Sequence, residues 1–254
     1  VSMQSGSDPL GPLVELPGVR EAAERARDAL GEVHRHRTNR RGWPGTAAEA
    51  AMRAARASAA LDGAGLDLPQ DVAEADPVLR GALRLGQTLD GDALTVITPV
   101  WQRAPLQALA RLHALAAADL VEDSEQLGRP RVDPGVSERL DALAQLLTGG
   151  TSAPAPVVAA IVHGELLTLR PFGTADGLVA RAASRLVAVG TGLDPHNLGV
   201  PEVGWLKRQQ AYRSGAAGFA SGTPAGVGGW VVFCCGALED GAREALSIAE
   251  AQAG

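Results

Sequence analysis

Residues 161–185 read IVHGELLTLRPFGTADGLVARAASR, and the groups able to do chemistry cluster in the second half of that stretch. Gly177 stands at the start of a predicted helix, where backbone N–H groups are exposed, and Arg181 follows one turn on. Together they form a ready site for a phosphate or another anion. Asp176 puts a negative charge into the same space; it reads as an N-cap of the helix beginning near Gly177 in preference to a metal ligand. Arg170 is always protonated and has no acceptor lone pair, so it cannot take a proton from a substrate. Thr174 offers only a neutral hydroxyl. His163 lies two helical turns before Arg170 on the same face, about 10 Å away by helical rise, and so reads as a core histidine and not as a base for the loop.

Other candidates are weaker. His113 and His196 have no acidic or cysteine partners at metal-ligand spacing, which leaves zinc unsupported. The basic run HRHRTNRR suits an acidic partner or RNA, but it lacks interleaved aromatics and sits in an acidic chain, so a solvated turn between helices is the favoured reading. The glycine-rich GTPAGVGG, residues 222–229, lacks the Lys-Ser/Thr ending of a phosphate-binding loop and reads as a connector. Adjacent Cys234 and Cys235, in the apolar run WVVFCCGAL, are poorly placed for a disulfide with each other and read as small buried hydrophobes.

The elements that must position these groups are helices. Aromatic residues make up 3% of the 254 residues, apolar positions recur at three- and four-residue spacing, and alternating β-branched runs are almost absent. The pattern predicts an all-α chain with helices over about 18–36, 46–61, 76–90, 103–120, 135–148, 154–169, 177–190, 201–218 and 226–250. Thr46 and Glu49 stand at capping-box spacing for the second of these, and Gly63 stops it. Residues 1–12, rich in Ser, Gly and Pro, are expected to be a loose tail. A hydrophobic content of 46% suffices for one well-buried core.

A net charge of −6 disfavours nucleic acid as a partner. No run of residues is long and apolar enough for a membrane span, and no export signal is visible, which with the cysteine usage predicts a cytoplasmic protein without a membrane partner. Twenty-two arginines against one lysine, with abundant alanine, suggest a bacterial gene of high GC content.

The 161–185 stretch resembles the signature of Fic domains, H-x-F-x-[DE]-G-N-G-R-x-x-R, aligned on Pro171 and Phe172. Phe172, Gly177 and Arg181 match. Arg170 stands at the histidine, Thr174 at the acidic residue, and Ala175, Asp176 and Leu178 at Gly, Asn and Arg. Upstream, EAAMRAARASAALDGAGLDL resembles the inhibitory helix of Fic proteins, [ST]-x-x-x-E-[GN], with Ser58, Asp62 and Gly63 at the defined positions and Asp in place of Glu. RLHAL and LGRPR resemble the helix and flap before the signature, and LGVPEVGWLKRQQAYRSGAAGF with VGGWVVFCCGALEDGAREAL resembles the C-terminal helices.

This resemblance implies a Fic-domain helical fold, with a tail over 1–12, an N-terminal helical extension carrying the inhibitory-type helix over 13–100, and a degenerate Fic domain over 101–254. Fic domains transfer AMP or a related phosphate-containing group to a side-chain hydroxyl, using the histidine as base and the acidic residue as a magnesium ligand. With both replaced, ordinary AMP transfer is not expected. Gly177, Arg181, Asp176 and Thr174 remain as nucleotide or anion contacts, with ATP or another nucleotide as the ligand class and magnesium disfavoured. The resemblance further implies that Asp62 pairs with Arg181; the plain alternative is that Asp62 only ends a helix beside Gly63.

The expected function is a pseudoenzyme that works by binding a nucleotide or a protein. The alternative is an active phosphate-group transferase with altered chemistry or donor, and the third reading is a homo-oligomeric scaffold.

Overall fold

The computed structural model describes residues 8–67 and 69–253, and among these residues twelve α-helices form and no strand does. They are α1 (Gly11–Val14), α2 (Val19–Arg35), α3 (Asn39–Leu61), α4 (Pro77–Thr88), α5 (Gly91–Arg103), α6 (Pro105–Ala117), α7 (Pro134–Gln145), α8 (Ala155–Leu169), α9 (Asp176–Gly190), α10 (Pro201–Lys207), α11 (Gln209–Ala220) and α12 (Pro224–Ala251).

The helix α8 is apolar on every side, so it can only be stable at the centre of the molecule. Its residues from Pro156 to Gly164 are buried, and it packs on α9, α12, α11 and α2. Gly164 permits the tightest of these approaches: a Cβ there would lie 2.7 Å from Trp230 Nε1 and 2.8 Å from the Phe219 ring. The indole N–H of Trp230 donates to the Ala160 carbonyl (2.8 Å), which gives a buried aromatic the partner its polar end requires. The helix α9 is buried from Leu178 to Val189 and lies against α8, α6, α5, α3 and α4. The main hydrophobic core takes in residues from Leu10 to Ala245, with a small second cluster of Ala50, Ala54, Val200 and Ile248, so much of the first hundred residues packs into the same interior as the rest.

Several expectations are corrected. Of the tail expected over 1–12, residues 1–7 lie outside the described residues, whereas Leu10 is buried and Asp8 accepts hydrogen bonds from Thr151 Oγ1 (2.7 Å), Ser152 N (2.6 Å) and Ser152 Oγ (2.8 Å). Those donors pull the Asp8 pKa well below the usual carboxylate range. The Thr46–Glu49 capping box does not form. The helix α3 begins at Asn39, bends at Gly42, and takes Thr46 into its interior, where the hydroxyl donates to Asn39 Oδ1 (2.8 Å) and Glu49 instead pairs with Arg53. The helix α5 lies outside the expected helices: its Thr95, Val96, Thr98 and Pro99 disfavour a helix locally, but Leu94, Ile97 and Trp101, at helical spacing, are buried by the fold. The helix expected over 201–218 is two helices, broken at Arg208 (φ −119°, ψ 41°).

Candidate functional site

The site lies where α8 ends, the loop 170–175 turns, α9 begins and the C-terminus of α3 comes across. Arg170 caps α8 in the left-handed region (φ 47°, ψ 60°), a conformation that a side-chain-bearing residue adopts only when the surroundings hold it. Here the holder is Arg131. Its Nε donates to the Arg170 carbonyl (2.9 Å), its Nη2 to the Leu169 carbonyl (3.0 Å), and its backbone N–H to the Pro171 carbonyl (2.7 Å). The sequence marks Arg131 only by its place in the short LGRPR segment before the signature. The Arg170 side chain is exposed, and among the described residues it has no hydrogen-bond or ion-pair partner.

The loop is pinned from inside as well. Phe172 stacks on His113, with ring centroids 4.2 Å apart and planes within 5°. His113 Nδ1 accepts the Gly128 N–H (2.9 Å). Burial lowers the His113 pKa, opposed by the Thr174 backbone. His113 is thus a structural post for the loop, and Thr174 is half-buried beside it.

Asp176 does not cap α9 as expected. It is the first residue of that helix, follows Ala175 in a left-handed conformation (φ 53°), and turns back to accept the Phe172 N–H at Oδ1 (2.9 Å). Its Oδ2 is enclosed without a well-aligned donor. Burial raises its pKa, against the lowering by the Phe172 and Gly173 amides and by the Arg170 and Arg131 charges.

The anion cradle at Gly177 faces a carboxylate of the protein itself. A Cβ on Gly177 would lie 2.6 Å from both oxygens of Asp62. Asp62 also does what its plain reading required: it is the C-cap of α3, followed by Gly63 at φ +100°, with Ala64 N–H returning to the Ala59 carbonyl (3.1 Å). A negative charge at a helix C-terminus is unfavourable on its own. Two things offset it, the positive N-terminal end of α9 and the guanidinium of Arg181, whose Nη2 is 2.7 Å from Asp62 Oδ2.

Arg181 is 1% exposed and every one of its nitrogens is used. Nε donates to Ser58 Oγ (2.7 Å), Nη2 also to the Ser58 carbonyl (3.1 Å), and Nη1 to Tyr212 Oη (3.2 Å). Burial opposes its charge, but the Asp62 carboxylate and Tyr212 outweigh burial and hold its pKa above the ordinary value. Tyr212, pushed up to about 12 by burial, shares a 2.8 Å hydrogen bond with His163 Nε2. His163 is the core histidine expected: fully buried, ringed by Trp205, Tyr212 and Trp230, with a pKa driven well below 6.5 by burial and then by the Arg181 charge. Ser58, Asp62, Gly63, Gly177 and Arg181 are therefore brought together, with Tyr212 and His163 behind them. One turn beyond Arg181, the buried Arg185 bonds Glu202 (2.8 Å) and Asn197 (2.9 Å), a second polar knot that the sequence did not disclose.

A cleft of about 390 Å³ opens over this assembly, lined by Asp62, Arg170, Asp176 and Gly177 and walled by Val78, Leu120, Leu167 and Leu178. The residues present do not fit a magnesium–polyphosphate group: Thr174 offers a hydroxyl, Asp176 Oδ1 is spent on Phe172, and Asp62 lies over the helix N-terminus. Far from the cleft, the turn at 34–41 is built by Asn39 and a Trp43–His196 stack (4.1 Å), with His34 bonded to Asp194 (2.8 Å). Its Arg35, Arg37, Arg40 and Arg41 are exposed and pair with no carboxylate among the described residues.

No family model matches the chain, and no curated protein matches it. The class defined by the arrangement is an all-helical fold with a loop-to-helix signature at its centre and an N-terminal helix laid across it. Among solved structures, the chain is similar to a Fic family protein from Desulfovibrio desulfuricans G20, at 18% sequence identity and a TM-score of 0.69, over 91% of this chain and 74% of that one. The fold is that of the Fic domain. Among the described residues, no helix is long and apolar enough to cross a membrane.

Proposed function

We propose that this chain is a Fic-fold protein that transfers no group and works by binding. The observation that carries the reading is the double occupation of the site by the protein's own charges. A guanidinium, Arg170, stands where a proton acceptor is needed, and a carboxylate, Asp62, sits on the helix N-terminus that would receive a phosphate. General-base catalysis is commonly worth about 10²–10⁴-fold, and nothing at the mouth of the loop replaces it: His163 is enclosed in the core, and Asp176 is turned into the loop. The buried Asp62–Arg181 pair then serves as a clamp between α3 and α9.

The test is titration calorimetry with ATP, with and without Mg²⁺, on the native chain and Asp62→Ala, beside an assay for transfer of label from ATP to protein. The reading expects no transfer. Heat that appears only with Asp62→Ala would show that a phosphate site survives beneath the clamp and make the protein a gated nucleotide binder. Label incorporation that depends on Arg181 would overturn the reading in favour of a transferase with altered chemistry.

A further inference from the structure

The misfit between the cleft and a polyphosphate points to what does fit. This inference rests on the non-catalytic reading above and concerns the ligand of the same cleft. Polyanions need several donors in line, and two sources are gone: the N–H groups at the start of α9 face the Asp62 carboxylate, and Arg181 is consumed by Asp62, Ser58 and Tyr212. Leu178, 1% exposed, is a core residue where the Fic signature carries an arginine, so no donor comes from that position. Among the described residues that line the cleft one cation has no ion-pair partner, Arg170, on a backbone locked by three hydrogen bonds from Arg131, although the Asp176 carboxylate lies near enough to feel its charge.

We propose that the cleft binds a compact monoanion with an apolar body, a carboxylate, held by the Arg170 guanidinium and packed against Val78, Leu120 and Leu167. The chemistry of the lining selects this class. A planar guanidinium matches a carboxylate bidentately, and Val78, Leu120 and Leu167 on the same cleft offer its body an apolar wall, between the carboxylates Asp62 and Asp176. Asp62 and Asp176, which also line the cleft, repel a second negative group and so select against dianions and nucleotides. Val78, Leu120 and Leu167 are each only partly buried, so an apolar body has surface left to cover.

The probes are sodium octanoate, octylammonium chloride and ATP, each titrated into the native chain, Arg170→Gln and Leu167→Asp, with affinity read by calorimetry and the site by amide shifts of Arg170 and Gly177 in ¹H–¹⁵N spectra. Octanoate should bind the native chain and shift both amides. Arg170→Gln should weaken it about 10-fold or more, the loss expected for one charge-assisted contact, and Leu167→Asp should abolish it. Arg170 is exposed, so Arg170→Gln tests the contact without threatening the fold. Octanoate that does not bind, binds Arg170→Gln equally well, or is matched by octylammonium would overturn the proposal. Label transfer from ATP would instead overturn the non-catalytic reading, whatever octanoate does; the two failures are separate.

Discussion

The Asp62 carboxylate lies 2.7 Å from the Arg181 guanidinium and, at the same time, crowds the space that a Cβ on Gly177 would take at the start of α9. One side chain thereby neutralises a cation buried in the core and covers the N-terminus of α9. Removing it leaves the Arg181 charge with only Ser58 and Tyr212 as partners. Loss of one member of a buried ion pair costs about 3–5 kcal/mol, and because Asp62 is 28% exposed solvent screening brings the cost to the bottom of that range or somewhat under it. Asp62→Ala should therefore lower the stability of the chain by about 2–3 kcal/mol in urea unfolding, with Asp62→Asn intermediate. An unchanged midpoint would mean that the pair holds nothing.

Gly177→Ala places a methyl group where the two Asp62 oxygens now are, 2.6 Å away. The carboxylate must swing out, so this variant should lose about 1–2 kcal/mol as the clamp loosens. In an Asp62→Ala background the same change should cost almost nothing, because the group it displaces is already gone. The double-mutant cycle checks this: additive losses would contradict the contact.

Mild acid should destabilise the chain through its buried histidines. The folded pKa of His163 is depressed well below 6.5, so its contribution is fully present above about 6.5 and is lost as pH falls towards the folded value, where the unfolded chain takes up a proton that the native site refuses. The loss is at most about 1.4 kcal/mol per pH unit for this one group. His113 and His196, also lowered by burial, act in the same direction. Asp176, with its raised pKa, acts in the opposite direction, losing stability as pH rises above the ordinary carboxylate value. Comparing the native chain with His163→Gln between pH 7.5 and 5.5 cancels the other groups. The native chain should show the steeper fall, and equal slopes would count against the assignment.

Cys234 and Cys235 are free and buried, and burial pushes Cys234 well above the usual thiol range and Cys235 to about 12. Neither presents a thiolate at neutral pH. A chromogenic disulfide reagent at pH 8 should titrate two thiols in denaturant and none over minutes in the native state. A fast first equivalent would require an opening of α12.

Most helices were legible because their apolar positions repeat at helical spacing and their ends carry proline, glycine or aspartate. Asp76 and Asp133 cap α4 and α7 as such signals require, and Gly63 stops α3 at the predicted place. The helix α5 was not legible, since its β-branched run and proline argue against a helix until Leu94, Ile97 and Trp101 find an interior to fill. The Thr46–Glu49 pair misled for the converse reason: its local pattern was sound, but Asn39 and the bend at Gly42 start the helix earlier.

For the site, the sequence by itself determined which groups were at hand: Arg170, which cannot accept a proton, Thr174, which carries no charge, and Gly177 and Arg181 at one helix start. Only the tertiary structure decided what they face. Arg131 locks the loop, His113 supports Phe172, Asp176 turns away from its own helix, and Asp62 closes on Arg181. Helix propensity and capping act over a few residues and can be read along the chain. The destination of a charged side chain depends on which distant carboxylate, carbonyl or aromatic ring the packed helices bring within about 3 Å, and that geometry exists only once the core has formed.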